Sequence, residues 1–192
     1  MNKIYSLAYD IEVINSKRIS AAIGVIFFIL ATTLGAYVRI PVKGSPVPIT
    51  LQTFFVILSG AVLGKRLGLV SQLCYLALGI TGLPIFQGYS SGLSVVGGPT
   101  GGYLAGFIFS SYLVGKLLEL RNASRLWIIA SFSLAALTIY AFGVFWLIYL
   151  YKISITGAIS IGILPFIPGD TVKILLASSI YPTISKRSRK IF

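Results

Sequence analysis

The sequence predicts an all-α membrane protein in which six transmembrane helices form a compact bundle. Of its 192 residues, 56% are hydrophobic and only 10% are charged, with a mean hydropathy of +0.93. A soluble domain carries about 25% charged residues. The basic residues, which give a net charge of +12, lie in short clusters between long apolar runs. That distribution is typical of loops at a membrane surface and disfavours a nucleic-acid-binding face.

Apolar runs long enough to approach the roughly 20 residues of a membrane-spanning helix occur six times, at residues 20–37, 48–63, 67–83, 100–118, 126–151 and 168–185. Residues 153–166 are also apolar, but this run has 14 residues and closes near Pro165. It therefore predicts a short re-entrant or interfacial helix on the outer side. We expect one integral membrane domain over 1–192, with a cytoplasmic N-terminal extension at 1–17 and a basic cytoplasmic tail at 186–192.

The distribution of basic residues predicts the orientation of these spans. With six spans, the two termini lie on the same side of the membrane. If that side is the cytoplasm, the inner segments hold twelve basic residues and the outer segments hold three, namely Arg39, Lys43 and Lys152. This asymmetry satisfies the positive-inside rule. It predicts a multi-pass protein of the cell membrane with both termini in the cytoplasm.

Two stretches rich in proline or glycine interrupt the apolar pattern on the predicted outer side. Three prolines in residues 39–53 favour an extended segment, and Pro48 is expected to open the second helix. Residues 82–103 are rich in glycine and carry no charge. Because long loops in compact proteins are usually functional or disordered, we interpret this stretch as a cap over a ligand pocket, with a plain surface connection as the alternative.

A third polar stretch contains Asp170, the only acidic residue at predicted membrane depth, and Lys173, one helical turn later on the same face. Ionisable residues inside a membrane are costly, usually paired and usually functional. We expect Asp170 to accept hydrogen bonds from ligand N–H groups and Lys173 to donate to a ligand carbonyl or carboxylate. The alternative is that Asp170 simply caps the N-terminus of a helix.

Four motifs together carry a family resemblance: 46–54 (PVPITLQTF), 82–86 (GLPIF), 98–106 (GPTGGYLAG) and 165–173 (PFIPGDTVK). In this order and spacing they resemble the BioY family, whose members are the substrate-binding (S) components of energy-coupling factor biotin transporters. The resemblance covers about residues 20–185. It implies a six-helix membrane protein that binds biotin from outside with high affinity. The implied partners are a transmembrane coupling subunit and two ATP-binding cassette subunits, with no cofactor beyond biotin as the transported ligand.

Carried over by position, the resemblance also implies a set of ligand-binding residues. The pair Asp170 and Lys173 matches the polar pair near the biotin head group in the family. The other implied ligand contacts are Gln52, Thr53, Gln87, Tyr89, Thr100 and Tyr103. The ureido group of biotin offers two N–H donors and one carbonyl acceptor, so a carboxylate and a cation on one helical turn suit it chemically.

Other functions remain open at the level of sequence. An S component for another vitamin, such as thiamine or riboflavin, would share this architecture, and so would a structural membrane protein that transports nothing. An intramembrane enzyme is disfavoured, because the sequence has no histidine, its single Cys74 has no evident base, and Asp170 has no second carboxylate for acid–base work. We therefore predict no catalytic residues and no metal site.

Overall fold

The computed structural model describes residues 2–120 and 124–188, with side chains described between residues 17 and 185. Residue 1 of the predicted N-terminal extension and residues 189–192 of the predicted basic tail lie outside the described residues. Most of the chain is helical. The elements, in order, are α1 (Asn2–Tyr37), β1 (Arg39–Ile40), β2 (Ile49–Thr50), α2 (Gln52–Ile80), a 3-10 turn (Gln87–Tyr89), α3 (Leu93–Val96), α4 (Gly101–Leu120), α5 (Arg125–Tyr151), α6 (Ile155–Gly162) and α7 (Ile167–Ser188).

Helices of membrane-spanning length and composition account for much of the described chain. Four qualify individually, namely Lys17–Tyr37, Gln52–Ile80, Gly101–Leu120 and Arg125–Tyr151. The helices α6 and α7 form a bent pair at 56° that would make a fifth span. The predicted helical membrane architecture is therefore confirmed. Helix α1 begins at Asn2, so most of the predicted N-terminal extension belongs to the same helix as the first candidate span.

Helix α2 folds back on itself at Gly64. The backbone there has φ 80° and ψ 172°, a conformation that glycine adopts at little cost because it lacks a Cβ atom. Gln52 Nε2 donates a hydrogen bond of 2.8 Å to Tyr75 Oη. At about 1.5 Å per residue, those two positions would lie roughly 35 Å apart along a straight helix. Residues 52–63 and 65–80 are therefore two antiparallel halves that lie side by side.

Small residues allow these two halves and α4 to pack closely. A Cβ atom added at Gly68 would lie 2.5 Å from the Cα atom of Gly60, and one added at Gly60 would overlap the backbone carbonyl of Ser111 on α4. Gln72 Nε2 donates to Ser59 Oγ across the same junction, at 3.1 Å. Membrane helices associate mainly through such close backbone approach, because lipid provides no hydrophobic driving force between them.

A short β-hairpin connects α1 to α2. Strands β1 and β2 pair antiparallel, with Arg39 opposite Thr50. The prediction that Pro48 opens the second helix is wrong, because the residues that follow it are held extended by this pairing and the helix begins only at Gln52. The hairpin places Thr50 and Gln52 at the same end of the bundle as the start of α7, since the Thr50 carbonyl oxygen accepts a hydrogen bond from Lys173 on α7.

Large apolar side chains cover the outside of the bundle. Along α1, Ile23, Phe27 and Leu34 are each more than half exposed, and Leu175 on α7 is similarly exposed. In water such a surface would be an aggregation liability, whereas a bilayer solvates it. The buried core divides into two clusters. One, around Phe132, Val114 and Tyr181, joins α2, α4, α5 and α7, and the other surrounds the cavity described below.

Candidate ligand-binding site

A single end of the bundle brings together the β-hairpin, the 82–100 segment and the first turn of α7 around one cavity. Most of its wall is apolar, contributed by Val47, Phe86, Val95, Leu104, Phe107, Ile139 and Phe166. Its polar lining includes most of the residues that the sequence predicted as ligand contacts, namely Gln52, Thr53, Gln87, Thr100, Tyr103, Asp170 and Lys173. The remaining one, Tyr89, does not line this cavity.

The Asp170 carboxylate is the centre of the polar network. It is 6% exposed. Its Oδ1 atom accepts hydrogen bonds from Lys173 Nζ at 2.6 Å and from Thr53 Oγ1 at 3.1 Å, and its Oδ2 atom accepts one from the hydroxyl of Tyr140. Within the described residues, every hydrogen bond to this carboxylate comes from a side chain. The helix-capping alternative is therefore wrong, because no backbone N–H of α7 uses this carboxylate.

The Lys173 ammonium also forms several hydrogen bonds within the protein. Besides Asp170, it donates to the backbone carbonyl of Thr50 at 2.6 Å and to Thr53 Oγ1 at 3.1 Å. An ammonium has three N–H donors, and these three acceptors use all of them. A buried ion pair offsets its desolvation cost only when such additional hydrogen bonds are present. The pair is thus fixed in position and electrically neutral before any ligand arrives.

The hydrogen-bond positions that remain free in this network determine which ligand groups it can bind. An ionised carboxylate offers about four lone-pair sites, and three protein donors occupy Asp170, so one site is left for a ligand N–H group. A ligand carbonyl can be accommodated when Lys173 exchanges one of its hydrogen bonds to Thr50 or Thr53. The cavity can therefore hold a small neutral group that presents an N–H donor beside a carbonyl acceptor.

A second hydrogen-bond network connects the hairpin to the 82–100 segment through Gln52. Thr50 Oγ1 donates to Gln52 Oε1 at 3.0 Å, Gln52 Nε2 donates to Tyr75 Oη, and the Tyr75 hydroxyl donates to the carbonyl of Ile85 at 2.8 Å. Gln52 is almost fully buried. These contacts leave one of its amide N–H groups for the cavity. Tyr75 was not predicted from the sequence, although a buried tyrosine hydroxyl normally needs a partner.

Thr100 and Tyr103 contribute to the wall of the cavity in different ways. The Tyr103 hydroxyl donates to the backbone carbonyl of Gly162, at 2.8 Å, where α6 ends. The ring of Tyr103 therefore lines the cavity while its hydroxyl ties α4 to the bend between α6 and α7. Thr100, at the start of α4, also lies in the lining.

The 82–92 loop is attached to the end of α1 and to strand β1 by three side-chain contacts. Arg39 Nη1 donates to Gln87 Oε1 at 3.1 Å, and the hydroxyl of Tyr37 donates to the carbonyl of Pro84 at 2.8 Å. The ring of Tyr89, which is 68% exposed, lies 4.3 Å from that of Tyr37 between centroids. Within the same loop, Phe86 and Gln87 line the cavity, so these contacts hold one of its walls.

Apolar helices of membrane-spanning length that enclose a mostly apolar cavity with a few fixed polar groups define a membrane protein that binds a small molecule. The family model described as the BioY family matches residues 10–190, and the chain belongs to that family. The resemblance predicted from the four motifs is confirmed. Membership in a family of transporters also confirms the prediction that the chain is not an enzyme.

Known relatives extend this match over most of the chain. It is 42% identical over 159 residues to the biotin transporter BioY of Thermotoga maritima, covering 83% of this chain and 92% of that protein. It is 39% identical over 153 residues to the probable biotin transporter BioY of Pyrococcus horikoshii, covering 78% and 86%. The fold is similar to the crystal structure at 2.1 Å of the S-component for biotin from an ECF-type ABC transporter, with a TM-score of 0.83, 26% identity, and coverage of 90% of this chain and 94% of that one.

Proposed function

We propose that this protein binds biotin with high affinity and acts as the S component of an energy-coupling factor transporter. The observation that carries the proposal is the buried Asp170–Lys173 pair inside the cavity of a BioY-family fold. The ureido ring of biotin presents N–H donors on either side of a carbonyl. Asp170 has a free acceptor site for one N–H, and Lys173 can donate to the carbonyl. No metal or cofactor is part of this proposal.

The apolar part of the cavity suits the rest of the molecule. Beyond its ureido group, biotin consists of a fused ring with a thioether and an aliphatic chain. Phe86, Phe107, Ile139 and Phe166 offer apolar surface to such groups, and burial of apolar area contributes about 25 cal/mol per Å². The polar groups at one end would then fix the orientation, while the apolar wall supplies much of the affinity.

Binding of labelled biotin to the purified protein tests this function directly. We expect saturable binding at nanomolar concentrations, displaced by unlabelled biotin and not by thiamine or riboflavin. Displacement by one of those two vitamins would reassign the substrate within the same class of protein. A lack of saturable biotin binding by folded protein would refute the proposal.

The proposed topology has six spans with both termini in the cytoplasm. The two halves of α2 count as separate spans because the chain reverses at Gly64, and they add to α1, α4, α5 and α7. The short α6 would then be the re-entrant or interfacial segment on the outer side. In this arrangement Lys65 and Arg66 lie on the cytoplasmic side with most other basic residues, as the positive-inside rule requires. The cavity then opens outward.

The proposed partners are a transmembrane coupling subunit in the same bilayer and two ATP-binding cassette subunits. The sequence itself has no Gly-x-x-x-x-Gly-Lys-Ser/Thr loop for ATP phosphates, which agrees with ATP hydrolysis by partners. The small residues Ala31 and Gly35 on α1 are already used within the bundle. Ala31 is buried, and a Cβ atom added at Gly35 would lie 2.9 Å from the ring of Phe55 on α2. The coupling subunit is thus expected to contact the exposed apolar side of α1 instead.

We also propose that the 82–92 loop caps the cavity and that Tyr37 holds it closed. Replacing Tyr37 by alanine removes the hydrogen bond to Pro84 and the ring contact with Tyr89. Each such interaction contributes about 0.5–1.5 kcal/mol, so the dissociation rate of biotin should rise about tenfold. A chase experiment with excess unlabelled biotin measures this rate.

The matched control for this experiment is Tyr151→Ala, which removes a half-exposed tyrosine at the end of α5 that does not line the cavity. Its dissociation rate should equal that of the unaltered protein. Equal rates for Tyr37→Ala and the unaltered protein would show that the loop does not control biotin release.

A further inference from the structure

We infer that Arg39, acting with Gln87, forms the anion-binding end of the cavity and holds the carboxylate of the ligand. The inference rests on the proposed function, because biotin carries a carboxylate at the end of its aliphatic chain. The Asp170–Lys173 pair would bind the opposite, ureido end. The site then has two polar poles, and the second is contributed by the hairpin and the 82–92 loop.

Among the described side chains, no acidic residue forms an ion pair with Arg39. The sequence has four acidic residues. Asp170 and Glu119 each form an ion pair with a lysine of their own. Asp10 and Glu12 lie within α1, 29 and 27 residues before Arg39, which follows the end of that helix. Along a helix, this spacing places their backbone about 40 Å from Arg39. Among the described residues, no acidic side chain is therefore placed to pair with this guanidinium, which leaves it available to an anionic group of the ligand.

Arg39 does not line the cavity itself, but its guanidinium contacts a residue that does. Its Nη1 atom donates to Oε1 of Gln87, which itself lines the cavity. The guanidinium also lies directly against Gly88, where an added Cβ atom would overlap Nη1. A guanidinium has five N–H donors, and among the described residues only this one contact engages them. The remaining donors can form the two parallel hydrogen bonds that arginine makes to a carboxylate.

Gln87 is suited to share the same anion. Because its Oε1 atom accepts from Arg39, its amide N–H groups are left as donors toward the cavity. A carboxylate bound there would receive hydrogen bonds from both side chains. Gln87 would then link the ligand to Arg39, and the bound ligand would join the loop to the hairpin.

The opposite end of the cavity is a poor place for a carboxylate. The Lys173 ammonium at that end is already paired with Asp170, so it offers no unbalanced positive charge to an anion. A ligand carboxylate placed there would also face the negative charge of Asp170 in a buried setting, where like charges repel strongly. The ligand should therefore bind with its neutral head against Asp170 and its charged tail toward Arg39.

The test compares biotin with biotinamide, in which the carboxylate is replaced by an uncharged carboxamide. Titrations use the purified full chain, its Arg39→Ala variant and the Lys43→Ala variant. Lys43 is the matched control, because it is an exposed cation on the same connecting segment and, among the described residues, does not share the hydrogen bond that Arg39 makes to the cavity-lining Gln87. We expect Arg39→Ala to lower the affinity for biotin by about 10- to 100-fold, the range for hydrogen bonds to a charged group, with the affinity for biotinamide unchanged. Lys43→Ala should leave both affinities unchanged.

Other outcomes overturn the inference. Equal losses for both ligands in Arg39→Ala would mean that Arg39 only holds the loop, and equal affinities of the two ligands for the unaltered protein would mean that the carboxylate is not recognised. Thermal unfolding of each variant checks that it is folded. If the unaltered protein binds neither ligand, the proposed function itself fails, which is a result distinct from selective or equal losses in the variant.

Discussion

Replacing Asp170 by alanine is expected to lower the affinity for biotin by about 100-fold or more. The substitution removes the acceptor for the ureido N–H, and a hydrogen bond to a charged group contributes about 1.5–3 kcal/mol. It also leaves the Lys173 ammonium buried without its counter-ion, so this side chain must reorient within the cavity. Equilibrium binding of labelled biotin to the purified variant measures the loss.

The matched control for Asp170 is Glu119, the carboxylate of the second ion pair, which Lys65 forms away from the cavity. Glu119→Ala should retain the affinity of the unaltered protein. Asp170→Asn separates binding from folding, because its amide oxygen can still accept from Thr53 and Lys173 while its NH2 group donates to the Tyr140 hydroxyl, which preserves the packing without the charge. Full biotin affinity in Asp170→Ala would remove this residue from the site.

Replacing Gly60 by alanine is expected to destabilise the protein by about 3 kcal/mol or more, the upper end of overpacking effects. The new methyl group would overlap the backbone carbonyl of Ser111 on α4. A flexible side chain could move aside, but a helix backbone moves only if the whole junction between α4 and the halves of α2 separates. Thermal unfolding in detergent, followed by circular dichroism, measures the change.

Gly169→Ala is the control for this effect, since a Cβ atom there meets only the methyl group of Ile49, at 3.8 Å. It lies in the first helical turn of α7 and should unfold at nearly the same temperature as the unaltered protein. If Gly60→Ala matches it, the junction at Gly60 does not determine the stability of the bundle.

The fold was largely predictable because its main signal is local. Long apolar runs locate helices without any knowledge of what they touch, and the spacing of Asp170 and Lys173 placed them on one turn. The β-hairpin escaped prediction because each strand has only two residues, which is too short for an alternating pattern. Pro48 then suggested a helix start that strand pairing overrides.

Much of the site depends on contacts that no local pattern records. Tyr140 lies in an uninterrupted apolar run, and its partner Asp170 is 30 residues away. Arg39 reaches Gln87 across 48 residues, and only the folded chain places that guanidinium beside the cavity. The motifs identified the residues that line the cavity, whereas the groups that hold them in position came from the three-dimensional packing.

The reversal at Gly64 also has a consequence for the surrounding lipid. Residues 52–63 form a helix of 12 residues, or about 18 Å at 1.5 Å per residue, whereas the hydrocarbon layer is about 30 Å thick. No residue of this short helix is exposed at the surface of the bundle, so neighbouring helices surround it where lipid chains otherwise would. The protein can therefore hold a helix shorter than the hydrocarbon layer is thick without distorting the adjoining bilayer.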